Sequence, residues 1–178
     1  MRRPILIHPD SRLKKVCDPV PAVDDDTRRL VDDMFETMYD APGIGLAAPQ
    51  IGVLSRVIVM DCAPKTAPEG EPEPDPQPIA LINPEVVWAS EAESEHEEGC
   101  LSIPEIYANV TRPEEVHIRF LTPDGDETTR EFDGIWATCI QHEIDHLNGK
   151  LFIDYLSSMR RTMITQKMKK LKRTRQTA

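Results

Sequence analysis

Residues 134–147 read GIWATCIQHEIDHL, and this stretch decides the fold of the chain. Apolar side chains recur in it at three- and four-residue steps, which predicts a helix with one buried face, and Asn148-Gly149 behind it is a typical helix stop. His142 and His146 stand four positions apart, so both imidazoles lie on one face and can reach one metal ion. Glu143, beside the first histidine, is placed to exchange a proton with a water molecule on that metal. The alternative, a charged helix facing solvent, is disfavoured because the apolar residues bury much of this helix.

Two histidines need at least one more protein ligand. Downstream of His146 the sequence has no further histidine, and its only carboxylate is Asp154. Upstream, Cys100 lies in residues 98–104, EGCLSIP, where it follows a glycine and is a candidate for a loop that passes close to the site. A thiolate is a good ligand for Fe(II), Zn(II), Co(II) or Ni(II). Without the histidines, a small buried hydrophobic residue would be the preferred interpretation of Cys100.

A third stretch, residues 43–52, reads GIGLAAPQIG. It lacks the lysine of a P-loop and the spacing of a dinucleotide fingerprint, so a phosphate-binding loop is not expected. Its small residues allow another backbone to approach closely, which suits a bound peptide and equally a tight internal turn. Gln50 carries an NH₂ group that can donate to a carbonyl oxygen. Taken alone, the stretch fits a packing turn best.

Composition is typical of a globular protein with one domain, residues 1–178. Hydrophobic residues are 39% and charged residues 29% of the 178, enough for a sizeable core. No apolar run approaches the ~20 residues of a membrane helix, and the four apolar residues at 4–7 are too few for a secretory signal. The four cysteines are dispersed, which argues against a disulfide framework. We therefore expect a cytoplasmic protein with reduced thiols and no membrane partner.

The net charge of −10 is distributed unevenly along the chain. Eight of the 21 lysines and arginines and none of the 31 aspartates and glutamates lie after Asp154, so the last 24 residues carry +8 and the rest −18. The acidic body is a poor nucleic-acid binder, whereas the basic end can seek a polyanion or form a solvated helix face. From Ser157 on, the pattern predicts an amphipathic helix whose apolar face consists of Met159, Met163, Ile164, Met168 and Leu171.

The remaining patterns complete an α+β arrangement. A helix is expected over residues 24–38, with aspartates at its start. Strands are expected at 53–60, 79–87, 116–121 and 128–132, the last two forming a hairpin. The six prolines within residues 63–78 predict an extended surface loop. The polar stretch 90–98 is expected to be exposed on most of its length.

Taken together and in this order, the three stretches resemble the signatures of bacterial-type peptide deformylases. The family motifs GxGxAAxQ, EGCxS and QHExDH correspond here to residues 43–50, 98–102 and 141–146. The resemblance extends over nearly the whole chain, from the start to the basic final helix. Two features depart from the family pattern: the loop 63–78 looks longer than usual, and Tyr107 stands where many bacterial members have an arginine near the substrate cleft.

The resemblance implies an α+β fold in which antiparallel strands surround a central metal-bearing helix. It also implies one divalent metal, usually Fe(II), with Zn(II), Ni(II) or Co(II) as replacements, held with a water molecule by Cys100, His142 and His146. The implied reaction removes the N-formyl group from the initiator methionine of nascent polypeptides and releases formate. In that reaction the metal-bound water attacks the formyl carbon, with Glu143 as general base and then general acid.

Further roles follow from the same resemblance. The Gln50 side chain and the backbone N–H of Leu101 are implied to hold the developing oxyanion, and Gly45 and Gly99 to offer backbone groups to the peptide. The candidates for lining the methionine pocket are Ile44, Ile135 and Cys139. Since the substrate emerges from the ribosome, the basic final helix is implied to dock there. Sequence-specific nucleic-acid binding is not expected.

Two other functions remain as alternatives. A metal-dependent protease or aminopeptidase uses the same histidine motif, but the downstream third ligand of such enzymes is missing here. A structural metal site is the second alternative, because Cys139 shares one helical stripe with His142 and His146. With Cys100 it could close a Cys₂His₂ tetrahedron and exclude water. Glu143 and Gln50 favour the open, catalytic form.

Overall fold

The computed structural model describes residues 1–177, which form three α-helices and seven strands. Short 3₁₀ helices cover Ser11–Lys14, Ala48–Ile51 and Phe152–Tyr155. In chain order the main elements are α1 (Asp25–Asp40), β1 (Gly45–Ala47), β2 (Val57–Met60), β3 (Ile79–Ala89), β4 (Glu93–Cys100), β5 (Ile103–Pro113), β6 (Glu115–Leu121), β7 (Glu127–Asp133), α2 (Gly134–Leu147) and α3 (Ser158–Thr177).

The strands form two antiparallel sheets around α2. The larger sheet has the order β1-β2-β3-β6-β7, and β4 pairs with β5 in the smaller one. Ile140, Ile144 and Leu147 of α2 pack into a core with residues of the larger sheet, among them Ile58 and Leu81. The polar residues of α2 that carry the metal motif are buried as well. The expected α+β fold with a central motif-bearing helix is confirmed.

Helix α1 begins as the aspartates predicted. The Asp24 side chain accepts a hydrogen bond from the backbone N–H of Thr27 at 2.9 Å, and Thr27 completes a capping box. Asp25 and Asp26 occupy the first turn, where the helix dipole favours negative charge. The helix continues to Asp40, two residues beyond the expected end.

The expected strand at 53–60 was too long, because β2 covers only Val57–Met60. Gly52, in the left-handed region at φ +82°, caps the 3₁₀ helix before it. The backbone N–H of Val53 then bonds back to the carbonyl of Ala48 at 3.1 Å, so the first residues form a turn. The hairpin prediction is confirmed: β6 and β7 pair along their whole length, and Gly125 at φ +88° closes the turn between them.

Strands β4 and β5 were not predicted. Residues 90–98 are largely exposed, as expected, but Glu93–Cys100 also form a strand that pairs with β5 from Glu93↔Pro113 to Gly99↔Tyr107. The run of glutamates lacks the alternation of apolar and polar residues that marks a half-buried strand. The apolar contribution comes from β5, where Ala108 and Val110 are buried. This pairing carries residues 98–100 to the metal motif.

Helix α3 corrects the predicted apolar face of the C-terminus. Ile164 and Met168 are buried and Leu171 packs beside them, but Met159 is 73% and Met163 64% exposed. At 3.6 residues per turn, Met163 lies about 100° and Met159 about 140° around the helix from Ile164. The predicted face was therefore wider than the stripe that contacts the body. None of the helices in residues 1–177 is long and apolar enough to cross a membrane.

The proline-rich segment 63–78 forms neither helix nor strand, as expected, and most of it is exposed. Two contacts tie its ends to the body. The Lys65 ammonium donates to the carbonyl of Gly43 at 3.3 Å, and the backbone N–H of Gln77 donates to Asp61 at 3.2 Å. Asp61 also accepts a hydrogen bond from Tyr39 at 2.6 Å. The part between these contacts has few buried atoms.

We therefore expect that replacing residues 66–76 with a short Gly-Ser turn, while retaining Lys65 and Gln77, changes stability and activity little. The strand ends at Met60 and Ile79 are paired, so a short connection suffices. The expected result is a melting temperature within a few degrees of the parent and turnover within about twofold. A matched variant that also removes Lys65 and Gln77 is expected to be less stable. A large loss in the first variant would show that the loop packs on the body.

Candidate metal centre

The three predicted metal ligands lie together. Ligand atoms of Cys100, His142 and His146 are all within 4.8 Å of one another. Cys100 Sγ lies 3.3 Å from His146 Nε2, and the two imidazole rings have their centroids 5.0 Å apart. Helix α2 supplies both histidines from one face. Cys100 arrives at the end of β4, where the pairing register with β5 shifts. A thiolate and two imidazoles form a donor set that suits Fe(II), Zn(II), Co(II) or Ni(II), so these residues fit a divalent ion.

Glu98 orients the first histidine. Its Oε1 lies 2.9 Å from His142 Nδ1, which leaves His142 Nε2 for a metal. Arg112 holds Glu98 through two bonds, from Nε to Oε2 at 2.7 Å and from Nη2 to Oε1 at 2.9 Å. The same guanidinium also reaches Asp145 at 2.9 Å and Tyr155 at 3.3 Å. Sequence reasoning quoted Glu98 and Asp145 within its motifs without giving them a role, and it missed Arg112 entirely.

Charge pairing outweighs burial in this network. Burial raises the pKa of Glu98, but the hydrogen bonds from Arg112 and His142 lower it more, so it stays below its usual value. Burial likewise lowers the pKa of His142, while Cys100 and Glu98 raise it well above its usual value. Burial and the neighbouring His142 cation both lower the pKa of His146. The second imidazole is therefore neutral at pH 7, the form that binds a metal.

Glu143 is buried next to the ligands, and its Oε2 has no hydrogen-bond partner within residues 1–177. Burial raises the pKa of Glu143 to about 7, against the opposing effect of His142. A carboxyl group with such a pKa can both accept and donate a proton near neutral pH. Gly45 faces it closely, since a Cβ at that position would lie 2.7 Å from Glu143 Oε1 and 2.7 Å from Cys139 Sγ. Only glycine fits there without displacing the carboxylate.

Gln50 is held with its amide directed at the ligand cluster. Its Oε1 accepts a hydrogen bond from the backbone N–H of Ala47 at 2.9 Å. Its Nε2 donates to Ser102 Oγ at 3.1 Å and approaches Cys100 Sγ at 3.5 Å. The fixed orientation makes the NH₂ group a preorganised donor beside the site. Leu101, the other predicted oxyanion donor, follows Cys100 directly.

The site opens into a cleft of about 690 Å³, and the predicted residues Gly45, Gln50, Leu101 and Glu143 all line it. A side pocket of about 200 Å³ adjoins the ligands. The sequence predicted four residues of the substrate pocket. All four line this side pocket: Ile44, Gly99, Ile135 and Cys139. His96 and Glu97 line it too, and sequence reasoning missed them because β4 was not recognised as a strand.

Cys139 is not part of the ligand cluster found within residues 1–177. Its Sγ lies 3.7 Å from the carbonyl oxygen of Ile44, and Cys62 Sγ lies 3.9 Å from the same oxygen. A hydrogen bond with Cys62, together with burial, raises the pKa of Cys139, which keeps the thiol protonated. The structural Cys₂His₂ alternative therefore loses its fourth ligand, and the three-ligand site stays open toward the cleft.

Three candidate ligands, two of which line a cleft, with a buried carboxyl group beside them, are typical of a metal-dependent hydrolytic enzyme. The family model of polypeptide deformylase matches residues 2–162. The chain belongs to the polypeptide deformylase family, whose members remove the N-formyl group from nascent polypeptides.

Individual relatives agree with this assignment. The chain is 55% identical over 168 residues to a peptide deformylase of Methylocella silvestris, covering 94% of this chain and 84% of the relative. It is 51% identical to a peptide deformylase of Rhizobium meliloti, covering 97% of this chain and 95% of the relative. A crystal structure of peptide deformylase from Ehrlichia chaffeensis in complex with actinonin superposes with a TM-score of 0.89 at 40% identity, covering 97% of this chain and 98% of that one.

Proposed function

We propose that this chain, acting as a single catalytic domain over residues 1–178, hydrolyses the N-formyl group of the initiator methionine in nascent polypeptides and releases formate. The observation that carries the proposal is that Gln50, Cys100, His142 and Glu143 line one cleft, with His146 clustered with Cys100 and His142. The side pocket next to the triad has a volume suited to one side chain, and a methionine fits its largely apolar lining.

Cys100, His142 and His146 would hold the metal. A divalent ion bound there supplies a Lewis acid that polarises the formyl carbonyl and makes a water molecule more acidic. We propose Fe(II) as the physiological ion, as the family resemblance implies, with Zn(II), Ni(II) or Co(II) as replacements. One thiolate and two imidazoles suit all four ions. The Glu98 bond to His142 Nδ1 fixes the ring and leaves Nε2 as the atom that would bind the ion.

Glu143 acts as the proton carrier. It accepts a proton from the attacking water and then delivers it to the nitrogen of the leaving methionine amine. Its unpartnered Oε2 is free for both transfers, and its raised pKa suits a group that must take and return a proton. The close approach of Gly45 leaves the carboxylate little room to turn away from the cleft.

Gln50 and the backbone N–H of Leu101 hold the oxygen of the formyl group as charge develops on it. The amide of Gln50 is already oriented by Ala47 and Ser102, so it need not reorganise during the reaction. One such donor is typically worth about 3 kcal/mol of barrier.

The peptide is positioned by backbone groups on the two walls of the cleft. Gly45, on β1, and Gly99, on β4, offer backbone N–H and C=O groups to a substrate that lies as an added strand. A Cβ at Gly99 would lie 2.7 Å from the Tyr107 ring, so any other residue at this position would displace Tyr107. The methionine side chain occupies the side pocket, against Ile44, Ile135 and Cys139.

The direct test compares three short peptides that differ only at the amine: formyl-Met-Ala-Ser, acetyl-Met-Ala-Ser and free Met-Ala-Ser. Metal-replete protein is expected to release formate from the first and to leave the other two intact. Formate is measured by a coupled dehydrogenase assay and the peptides by mass spectrometry. Cleavage of a peptide bond in the free peptide would instead support an aminopeptidase, and no reaction with any of them would refute the proposal.

Oxygen sensitivity is the expected signature of the iron form. Fe(II) beside a cysteine ligand can be oxidised, and so can the Cys100 thiolate. We expect protein purified in air to lose most of its activity within hours, and protein purified under argon to keep it. Protein loaded with Ni(II) or Co(II) serves as the matched control and should be stable in air. Equal stability of the iron form in air and under argon would contradict the assignment of Fe(II).

We further propose that the protein acts in the cytoplasm, where nascent chains emerge, and that the basic helix α3 docks on the ribosome. Most basic residues of α3 are exposed, and the exposed Met159 and Met163 lie on the same helix. Contacts between lysines or arginines and RNA phosphates release counterions and depend on salt. Truncation after Lys167 is a poor test, because it removes Met168, which is 1% exposed in the core.

A charge-neutralised variant tests the docking without disturbing the core. Substituting glutamine for Arg160, Lys167 and Lys170, all exposed on α3, should weaken co-sedimentation with ribosomes about tenfold at low salt. Turnover of a free formyl-Met peptide should be unchanged, since none of the three lines the cleft. A control variant carries the same substitution at Arg28, Arg29 and Arg119. Equal loss of binding in both variants would leave α3 an ordinary solvated helix.

A further inference from the structure

A second cavity lies apart from the metal centre. It measures about 330 Å³, is open to solvent on one side and is lined by residues of the 3₁₀ helix Ser11–Lys14, the 3₁₀ helix Phe152–Tyr155 and the first three turns of α3. None of its lining residues also lines the catalytic cleft or the side pocket. The proposed reaction therefore does not involve the residues of this cavity.

Positive charge converges on this cavity. Lys14 lines one wall, and Arg161 and Lys169 line the wall formed by α3. None of the three has an ion-pair partner within the described part of the chain. The cavity has one carboxylate, Asp154, whose Oδ2 accepts a hydrogen bond from the backbone N–H of Leu151 at 2.9 Å. Three cations and one anion leave an excess of positive charge.

Neutral hydrogen-bonding groups accompany the cations. Thr162, Thr165 and Gln166 lie on the same face of α3 as Arg161 and Lys169 and line the cavity with them. The Thr162 hydroxyl donates to the carbonyl of Ser158 at 2.9 Å, and the Thr165 hydroxyl is bonded to His8. The Gln166 amide is therefore the neutral group left to donate to an oxyanion held by the charged groups.

The floor of the cavity includes His8, a buried imidazole that is 2% exposed. His8 Nε2 lies 2.8 Å from Thr165 Oγ1, and His8 Nδ1 has no hydrogen-bond partner within residues 1–177. Burial lowers the pKa of His8 to about 4, with Lys14 and Lys169 acting in the same direction and Asp154 against them. The field at the floor of the cavity is thus positive in spite of the carboxylate.

We propose that this cavity binds a phosphate group, held by Lys14, Arg161 and Lys169 with the Gln166 amide as an additional donor. Arginine and lysine around a concave site are the side chains that recognise phosphate oxygens, and the cavity is large enough for one such group. The ligand is either free phosphate or a phosphate of an RNA backbone, which present the same oxygens. This site does not depend on the deformylase reaction, and its test does not measure turnover.

The experiment titrates zinc-loaded protein with inorganic phosphate and follows the backbone amide signals of α3 by NMR. Saturable shifts are expected at Thr162, Thr165 and Gln166. Substituting Lys14→Gln or Lys169→Gln should raise the phosphate Kd at least about fivefold, because each removes one charged contact. Lys15→Gln is the matched control: this exposed neighbour of Lys14 does not line the cavity, and its phosphate Kd should stay within about twofold of wild type.

Phosphate could also bind to the zinc ion. Amide shifts from that binding are distinguished from shifts of the cavity because they persist in the Lys14→Gln variant. A ten-residue oligoribonucleotide then separates the two sources. If Lys14→Gln weakens the oligonucleotide and phosphate competes with it, the ligand is a backbone phosphate; if only phosphate binding weakens, it is the free ion. The absence of saturable α3 shifts up to about 20 mM phosphate, or equal binding by wild-type and both lysine variants, would overturn the proposal.

Discussion

Substituting Glu143→Gln is expected to leave the metal bound and to lower kcat by about a thousandfold. Glutamine has nearly the shape of glutamate, so the contacts of this buried side chain with its surroundings persist. Its amide cannot accept the proton of the attacking water, and general acid–base catalysis contributes roughly 10²–10⁴ in rate. The ligands Cys100, His142 and His146 are unchanged, so the metal content measured by mass spectrometry should stay near one ion per chain.

The control for this prediction is Glu91→Gln. Glu91 is exposed and lines neither the cleft nor the side pocket, and its substitution removes the same charge. Its kcat is expected to stay within about twofold of wild type, because an exposed charge is screened by solvent. Near-normal turnover by a metal-replete Glu143→Gln protein would remove Glu143 from the mechanism.

Local signals made the helices and two of the three candidate metal ligands predictable. The period of α2 and the spacing of His142 and His146 depend only on neighbours along the chain, and the helix covers Gly134–Leu147 as expected. Cys100 is different, because it lies 46 residues before His146 along the chain and reaches the histidines through the pairing of β4 with β5. The lack of a further histidine downstream of His146 made Cys100 a candidate, and the resemblance of the three motifs to one family then implied it as a ligand.

The electrostatic support of the site could not be read from the sequence. Charged residues make up 29% of the chain, and most of them are expected on the surface. Nothing local distinguishes Arg112, which is buried between Glu98 and Asp145, from Arg119, which forms an exposed pair with Glu85. Whether a charged side chain is buried depends on which strands pair. The glutamates of β4 lack the alternation typical of a strand, so the pairing of β4 with β5 that buries Arg112 was not predicted. The apolar face of α3 was overestimated for a similar reason, since the contact stripe is set by the body on which the helix packs.

The buried network yields the second large effect: Arg112→Met is expected to destabilise the fold by about 3–5 kcal/mol. Arg112 and Glu98 are only 5% and 4% exposed at their side chains. Without the guanidinium, the buried Glu98 carboxylate keeps only His142 as a charged partner among the described residues. Asp145 also loses the hydrogen bond that Arg112 donates to it. The free energy of unfolding is measured by urea titration. Arg119→Met is a close control, because its 2.8 Å ion pair with Glu85 is exposed and should contribute less than about 1 kcal/mol.

A double variant separates the buried charge from the lost packing. Adding Glu98→Gln to Arg112→Met removes the uncompensated carboxylate, so part of the stability should return. The affinity for zinc should nevertheless fall about 10–100-fold, because His142 loses the carboxylate that orients its ring and strengthens it as a ligand. Stability and metal binding are thus expected to change in opposite directions between the single and the double variant. If Arg112→Met unfolds within about 1 kcal/mol of wild type, like the Arg119 control, then the guanidinium is not what holds Glu98 and His142 in place.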